Sequence, residues 1–160
     1  MFLYHGSNVA VKNPQLLKIY RALDFGSGFY TTSDINQAQK WAERTALRLQ
    51  QKQSFVTVYE VDEQKMNELR FLQFDTPNLE WLHFVVQNRT GQSREDKWDI
   101  VKGPVADDQT IVVIDLYIDG MFSEEDAINR LLPQKLKDQY TFKTNRAIDL
   151  LYCVEVLLYE

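Results

Sequence analysis

Asp24-Phe25-Gly26-Ser27-Gly28-Phe29-Tyr30-Thr31-Thr32 reads as a loop that runs into a strand. Gly26 and Gly28 are set among aromatic residues, and without a Cβ each permits a positive φ or the close approach of another group. The stretch by itself is consistent with a β-bulge or tight turn, with Phe29 and Tyr30 alternating across a pleat. Upstream, Phe2-Leu3-Tyr4-His5 predicts a short strand that meets the turn cluster Gly6-Ser7-Asn8. Downstream, Ser33 is placed to cap a helix whose positions Ile35, Ala38, Trp41, Ala42, Thr45, Ala46 and Leu49 recur at helical spacing.

Further out, Phe55 to Val61 is β-rich, Leu69 to Phe74 and Asp99 to Pro104 predict short strands, and Tyr140-Thr141-Phe142 another. Thr76-Pro77 opens a helix through about Asn88, with Trp81, Leu82, Val85 and Val86 on its apolar face. Ser123 and Asp126 form a capping arrangement for a helix to about Leu132. Thr144 to Leu150 predicts a short helix and Leu151 to Tyr159 a closing strand. Pro14 interrupts a weak pattern over 9–22, which stays unassigned. Over 108–119 the β-branched run Ile111-Val112-Val113-Ile114 argues strand while the length suits a helix. Strands and helices interspersed without regular βαβ units give an α+β class. No linker, repeat or low-complexity block divides the chain, so 1–160 reads as a single domain.

Composition narrows the chemistry. Apolar residues are 44% and charged residues 26%, an ordinary globular balance. The net charge of −5 repels phosphate, so a protein partner is expected before a nucleic acid, for which Lys12, Lys18 and Arg21 are the local basic candidates. Cys153 is the only cysteine, which excludes an internal disulfide and a cysteine-based zinc site. His5 and His83 are the only histidines, without a spaced carboxylate set, so no metal is expected. There is no phosphate-cradling Gly-x-x-x-x-Gly-Lys-Ser/Thr, and Gly26-Ser27-Gly28 lacks the third glycine of a dinucleotide fingerprint. No apolar stretch approaches a membrane span and the first residues lack a signal-peptide pattern, so the expectation is a cytoplasmic protein without a membrane partner.

His5-Gly6-Ser7, then Gly26-Ser27-Gly28-Phe29-Tyr30 with a helix behind it, resembles the ADP-ribosyltransferase superfamily. The closer likeness is to its His–Tyr–Glu branch, which includes diphtheria toxin and the poly-ADP-ribose polymerases. Trp41 stands 11 residues after Tyr30, the spacing of that branch's second aromatic. Asp24-Phe25-Gly26, Asp99 through Asp107, and Gln139-Tyr140-Thr141-Phe142 resemble an uncharacterised bacterial family of the same superfamily.

The resemblance implies a split-sheet core with flanking helices, and a mono-ADP-ribosyltransferase that cleaves the nicotinamide–ribose bond of NAD. It further implies a toxin-like effector in a bacterial cell, with an antitoxin or inhibitor protein as a partner. Hydrolysis of NAD, or binding of NAD, ADP-ribose or a protein without turnover, are the alternatives. The implied site contains His5 on the adenosine ribose, Gly6 pairing its backbone with the carboxamide, and Ser7 nearby. Asp24, Gly26 and Gly28 shape its loop, and Tyr30 and Trp41 sandwich the nicotinamide. Gln139 takes the place of the family's catalytic glutamate, so it orients the ribose without supplying a full charge. Ala38 stands where the polymerases have a serine.

Each residue also has a structural reading. His5 fits a surface position beside a turn, and Trp41 fits the helix's apolar face. Asp107-Asp108 is either a replacement for the missing charge or a helix N-cap with an acidic first turn. Trp81 and Trp98 read as core or interface aromatics, and His83 as a satisfied histidine in an apolar helix. Arg89 and Arg94 read as surface charges, with Asn88-Arg89 also able to meet a phosphate, and Arg94-Glu95-Asp96-Lys97 as a solvated loop.

Overall fold

Phe2–Ser7 (β1) and the β-branched Ser54–Glu60 (β3) pair antiparallel, and Tyr152–Tyr159 (β7) adds to the far edge of β3, giving the three-stranded order β1-β3-β7. A second sheet has the order β2-β6-β5-β4, from Phe29–Thr31 (β2), Phe71–Gln73 (β4), Ile100–Pro104 (β5) and Asp138–Phe142 (β6). Its β4–β5 pair is parallel and the others antiparallel. The structure, a computed structural model, describes residues 1–16, 23–92 and 97–160. Among these the helices are α1 (Ile35–Arg48), α2 (Glu63–Asn67), α3 (Leu79–Arg89), α4 (Asp108–Ile118), α5 (Glu124–Leu131) and α6 (Asn145–Ile148). The described residues form one small α+β domain with two sheets and six helices. No helix among them is long and apolar enough to cross a membrane. Lys18, Arg21 and the segment Arg94-Glu95-Asp96 lie outside the described residues.

Several boundaries shift from the sequence expectation, each for a capping reason. Asp34, not Ser33, caps α1 by accepting from the Gln37 amide, while Ser33 donates its hydroxyl to Asp138. Asn78, not Thr76, caps α3. Residues 108–118 are helical despite their β-branched run, because Asp107 caps the first turn and Ile114 is buried on the core side. The capping box of Ser123 and Asp126 forms as expected. Helix α2 is one short turn, capped by Asp62, that apolar periodicity did not reveal.

The two faces of the combined sheet are packed differently. On the first face a single cluster crosses the junction, joining Leu3 and Tyr59 of the three-stranded sheet to Phe29, Ile100, Tyr140 and Phe142 of the four-stranded one. On the second face the packing is divided. There α1 covers Val56 with Ala38 and Ala42, whereas α3, α4 and α5 cover Val101 with Trp81, Leu82, Ile114 and Leu131. One continuous core therefore holds the sheets together from one side and leaves a seam between two helical caps on the other.

Candidate functional site

The seam begins where β1 leaves β2. Tyr4 and Thr32 exchange both backbone hydrogen bonds, at 2.8 and 2.9 Å, and this bridge is the only pairing between the sheets among the described residues. Strand alternation turns the amide and carbonyl of Gly6 toward the same edge as those of Tyr4. Their expected partner would be Tyr30, but the Tyr30 carbonyl accepts instead from His5 Nδ1 at 2.7 Å. The imidazole thus stands in the ladder's place, and the backbone donor and acceptor of Gly6 face the split.

Because its partner is a carbonyl, Nδ1 carries the proton and the neutral ring keeps Nε2 as an acceptor. Burial pushes the His5 imidazole below the ordinary histidine range, outweighing the opposing pull of the Tyr30 carbonyl. The ring stacks on Phe29, with centroids 4.2 Å apart and planes 27° apart. His5 is therefore built into the junction, not left on the surface beside a turn.

Gly6 also fixes the position of α1. A Cβ there would fall 1.9 Å from the Ala38 carbonyl oxygen and 2.8 Å from the Ala42 nitrogen, so the helix lies directly on the strand. Ala38, Ala42 and Ala46 form the buried stripe of α1, small enough for that approach. Trp41 is half-buried on the flank of the stripe and stacks on no ring among the described residues. Ser7 donates its hydroxyl to Asn8 Oδ1 at 3.2 Å, at the end of β1.

Tyr30 sends its ring to the second face, where it straps the loop before it. Its hydroxyl accepts from the Phe25 amide at 3.1 Å and donates to the Gly26 carbonyl at 2.6 Å. Gly26 has a φ of 77°, which L side chains rarely adopt. At Gly28 a Cβ would meet Thr141 Cγ2 at 2.5 Å. Lys143 donates to the Phe25 carbonyl and, at 2.8 Å, to the Ser27 carbonyl. Asp24 accepts from Arg89 Nε at 2.7 Å, and Asn88 donates to the Asp24 carbonyl. Arg89, expected at the surface, is instead a half-buried counter-ion of Asp24, and the Asn88-Arg89 pair clamps the loop.

Gln139 lies on the same face of the sheet as Tyr30 and pairs with Gly103 of β5. Its side chain is 4% exposed, and its Nε2 has no hydrogen-bond partner among the described residues. Thr141 Oγ1, two residues along on that face, is likewise unpartnered. Buried donors are nearly always satisfied, so an orphan amide beside the seam is an unusual feature. Asp138, its chain neighbour, accepts from the Ser33 amide at 2.9 Å and from Ser33 and Thr32 hydroxyls, tying β6 to the β2–α1 turn.

Other expectations resolve structurally. Asp107 is exposed and caps α4 by accepting from the Thr110 amide at 2.8 Å; Asp108 faces Arg44 at 3.5 Å. Trp81 is buried and donates to the Pro104 carbonyl. His83 is exposed rather than enclosed, 2.9 Å from Glu124 of α5.

The description "Protein of unknown function (DUF3990)" belongs to a family model that matches residues 1–152. The chain belongs to the DUF3990 family. No curated protein and no solved structure matches it. The DUF3990 match takes in β1 through β6, and so includes the whole junction with His5, Gly6, Tyr30 and Gln139. Sequence reasoning missed the Lys143 and Arg89 straps within that span. Neither carries a local signal, since each acts on a loop more than 60 residues away.

Proposed function

We propose that this DUF3990 chain is a NAD-dependent mono-ADP-ribosyltransferase with the split-sheet architecture of the ADP-ribosyltransferase superfamily. The observation that carries the reading is the junction itself, where His5 takes the Tyr30 carbonyl and leaves the Gly6 donor–acceptor pair facing the split. A primary carboxamide presents the complementary acceptor and donor, so the nicotinamide amide can continue the interrupted ladder at Gly6. Nε2 of neutral His5 accepts a hydroxyl proton, which suits a ribose and not a phosphate.

Cleavage breaks the bond between the ribose C1′ and the nicotinamide nitrogen. The bonding electrons quench the pyridinium charge as neutral nicotinamide leaves. The cation developing on the ribose is then captured by an acceptor nucleophile, which loses its proton. Positioning and electrostatics supply the catalysis, with no covalent protein intermediate. Gln139 donates its unpaired Nε2–H to a nicotinamide-ribose oxygen and orients it. The net charge of −5 favours a protein acceptor over a nucleic acid, and an antitoxin-like inhibitor remains part of the reading.

A second reading, NAD hydrolysis or NAD binding without turnover, is favoured by the same residue. A neutral amide offers the cation a dipole where the family's glutamate offers a charge. Incubation with NAD in lysate separates the two, by quantifying free nicotinamide and searching intact masses for added ADP-ribose. Transfer gives nicotinamide matched by modified acceptor, and hydrolysis gives nicotinamide alone. No nicotinamide, with NAD binding seen by calorimetry, leaves a binding domain; no NAD binding at all removes the proposal.

A further inference from the structure

At the opposite edge of the three-stranded sheet, β7 has no neighbour among the described residues. Among the described residues, no backbone hydrogen bond from another segment reaches it beyond its ladder with β3. Such edges are normally blunted by lysine, proline or a covering loop. From Tyr152 to Tyr159 there is one charge, Glu155, and neither lysine nor proline. Tyr152, Val154 and Leu158 are 72%, 43% and 51% exposed.

The ladder fixes which groups are free. Tyr4 bonds across to Thr32, so His5 bonds Thr57 on β3, and Val56 and Val58 turn toward β7. They face Leu157 and Glu155, which leaves the amides and carbonyls of Val156 and Leu158 pointing outward. Beside this edge runs a groove of ≈ 630 Å³ lined by Lys12, Asn13 and residues 151–156.

We infer that β7 pairs antiparallel with β7 of a second copy of this chain, about a two-fold axis at Val156, to make a continuous six-stranded sheet. In this register Val156 faces the partner's Val156, and Leu158 faces the partner's Val154, so the hydrogen-bonded pairs are apolar on one face. Glu155 faces the partner's Leu157; moving the axis one residue, to Glu155, would set that carboxylate against the partner's Glu155. β7 carries a bulge between Glu155 and Cys153, where its register with Val58 and Tyr59 shifts, and past this bulge the partner's strand end with Glu160 runs toward the groove that holds Lys12. Lys12 has no ion partner among the described residues, so the carboxylate and the ammonium complete each other. The junction proposed to hold NAD lies on β1, with β3 between it and this edge, so dimerisation and NAD binding are separable.

Sedimentation across the micromolar range tests the interface, with thermal unfolding as a check of folding. The wild type should sediment as a dimer that dissociates on dilution. Leu158→Lys, at an exposed position, should be a folded monomer, and so should Val156→Pro, whose missing N–H is an outward one. Lys12→Glu should weaken the dimer about fivefold, and the added exchange Glu160→Lys should restore it. NAD affinity should be the same in all four variants. A wild type that is monomeric at every concentration overturns the proposal and leaves the edge to an extended segment of another protein. A dimer indifferent to Leu158→Lys, or a charge exchange that fails to restore it, also overturns it.

Discussion

In the proposed NAD site, the protonation of His5 and the polarity of Gln139 govern binding and cleavage. The His5 imidazole titrates below its ordinary value of 6.5 because burial disfavours the cation. NAD affinity should therefore stay level from pH 8 down to about 6, where an ordinary histidine would already be losing its Nε2 lone pair. A calorimetric titration that falls steadily through pH 6.5 would place the proton elsewhere. The sign for stability follows from the same shift: the contribution is complete above the unfolded value and is lost as the pH falls through the folded one. Gln139→Ala should lower nicotinamide release by about 10²–10³, as for removal of a preorganised donor, with little change in NAD affinity. Gln139→Glu should raise release at a pH high enough to ionise the new carboxyl, where the charge is restored. It also puts a carboxyl at a position that is 4% exposed, where burial raises its folded pKa. That variant should match the wild type in stability near pH 4 and fall below it as the pH rises toward 8, in urea unfolding at each pH. A Gln139→Glu protein equally stable at both ends would show that the side chain reaches water.

At the scale of elements, the Asp24–Gly28 loop is held by four side chains from α3, β2 and the end of β6, so its shape is imposed from outside the loop. Substitution separates the strap that the Tyr30 hydroxyl forms from the stacking role proposed for its ring. Tyr30→Phe keeps the ring but leaves the Phe25 amide without its acceptor, which should cost about 1–2 kcal/mol of stability and leave NAD affinity nearly unchanged. Tyr30→Ala also removes the ring and should weaken NAD binding by about 1–3 kcal/mol if the ring stacks on the nicotinamide. Equal losses of affinity in the two variants would make Tyr30 a strap alone. Gly26→Ala should destabilise by about 1–2 kcal/mol, since φ is 77° and a Cβ would lie 2.8 Å from Asn88 Oδ1. The elements themselves were legible to the extent that local physics decides them. The strand before Gly6, helix α1 with its alanine stripe and the Ser123–Asp126 capping box follow from periodicity and caps. Helix α4 did not, because Ile111 to Ile114 have strand propensity and only the Asp107 cap and burial against the sheet reverse it.

Across the whole molecule, the sequence discloses residues near one another in the chain and conceals what distant segments build. The α+β class and the glycines at 6, 26 and 28 were readable, but the division of the second face into two caps depends on which strands pair. The parallel β4–β5 ladder and the single Tyr4–Thr32 bridge have no local signature. Asp99 is the clearest case, for it reads as the first residue of a strand and is in fact the point where four elements meet. Its buried carboxylate accepts from the Arg70 amide and guanidinium before β4, and from Thr144 and Arg146 at the start of α6. Its carbonyl accepts from the Lys143 amide at the end of β6. Burial alone would push this carboxyl up, but the Arg70 amide, the Thr144 hydroxyl and the two guanidinium groups together hold it well below the ordinary carboxylate range. Asp99→Asn should thus destabilise by about 2–3 kcal/mol at pH 7, because an amide turns donors toward donors and leaves the Arg70 N–H without a full acceptor. A depressed folded pKa contributes stability that is present above the unfolded value and lost as pH falls through the folded one. The difference between wild type and Asp99→Asn should accordingly be level from pH 8 to about 5 and shrink below about pH 4, measured by urea unfolding. A difference that persists undiminished at pH 2 would assign the loss to packing, and the charge of Asp99 would then have no part in holding the sheet ends together.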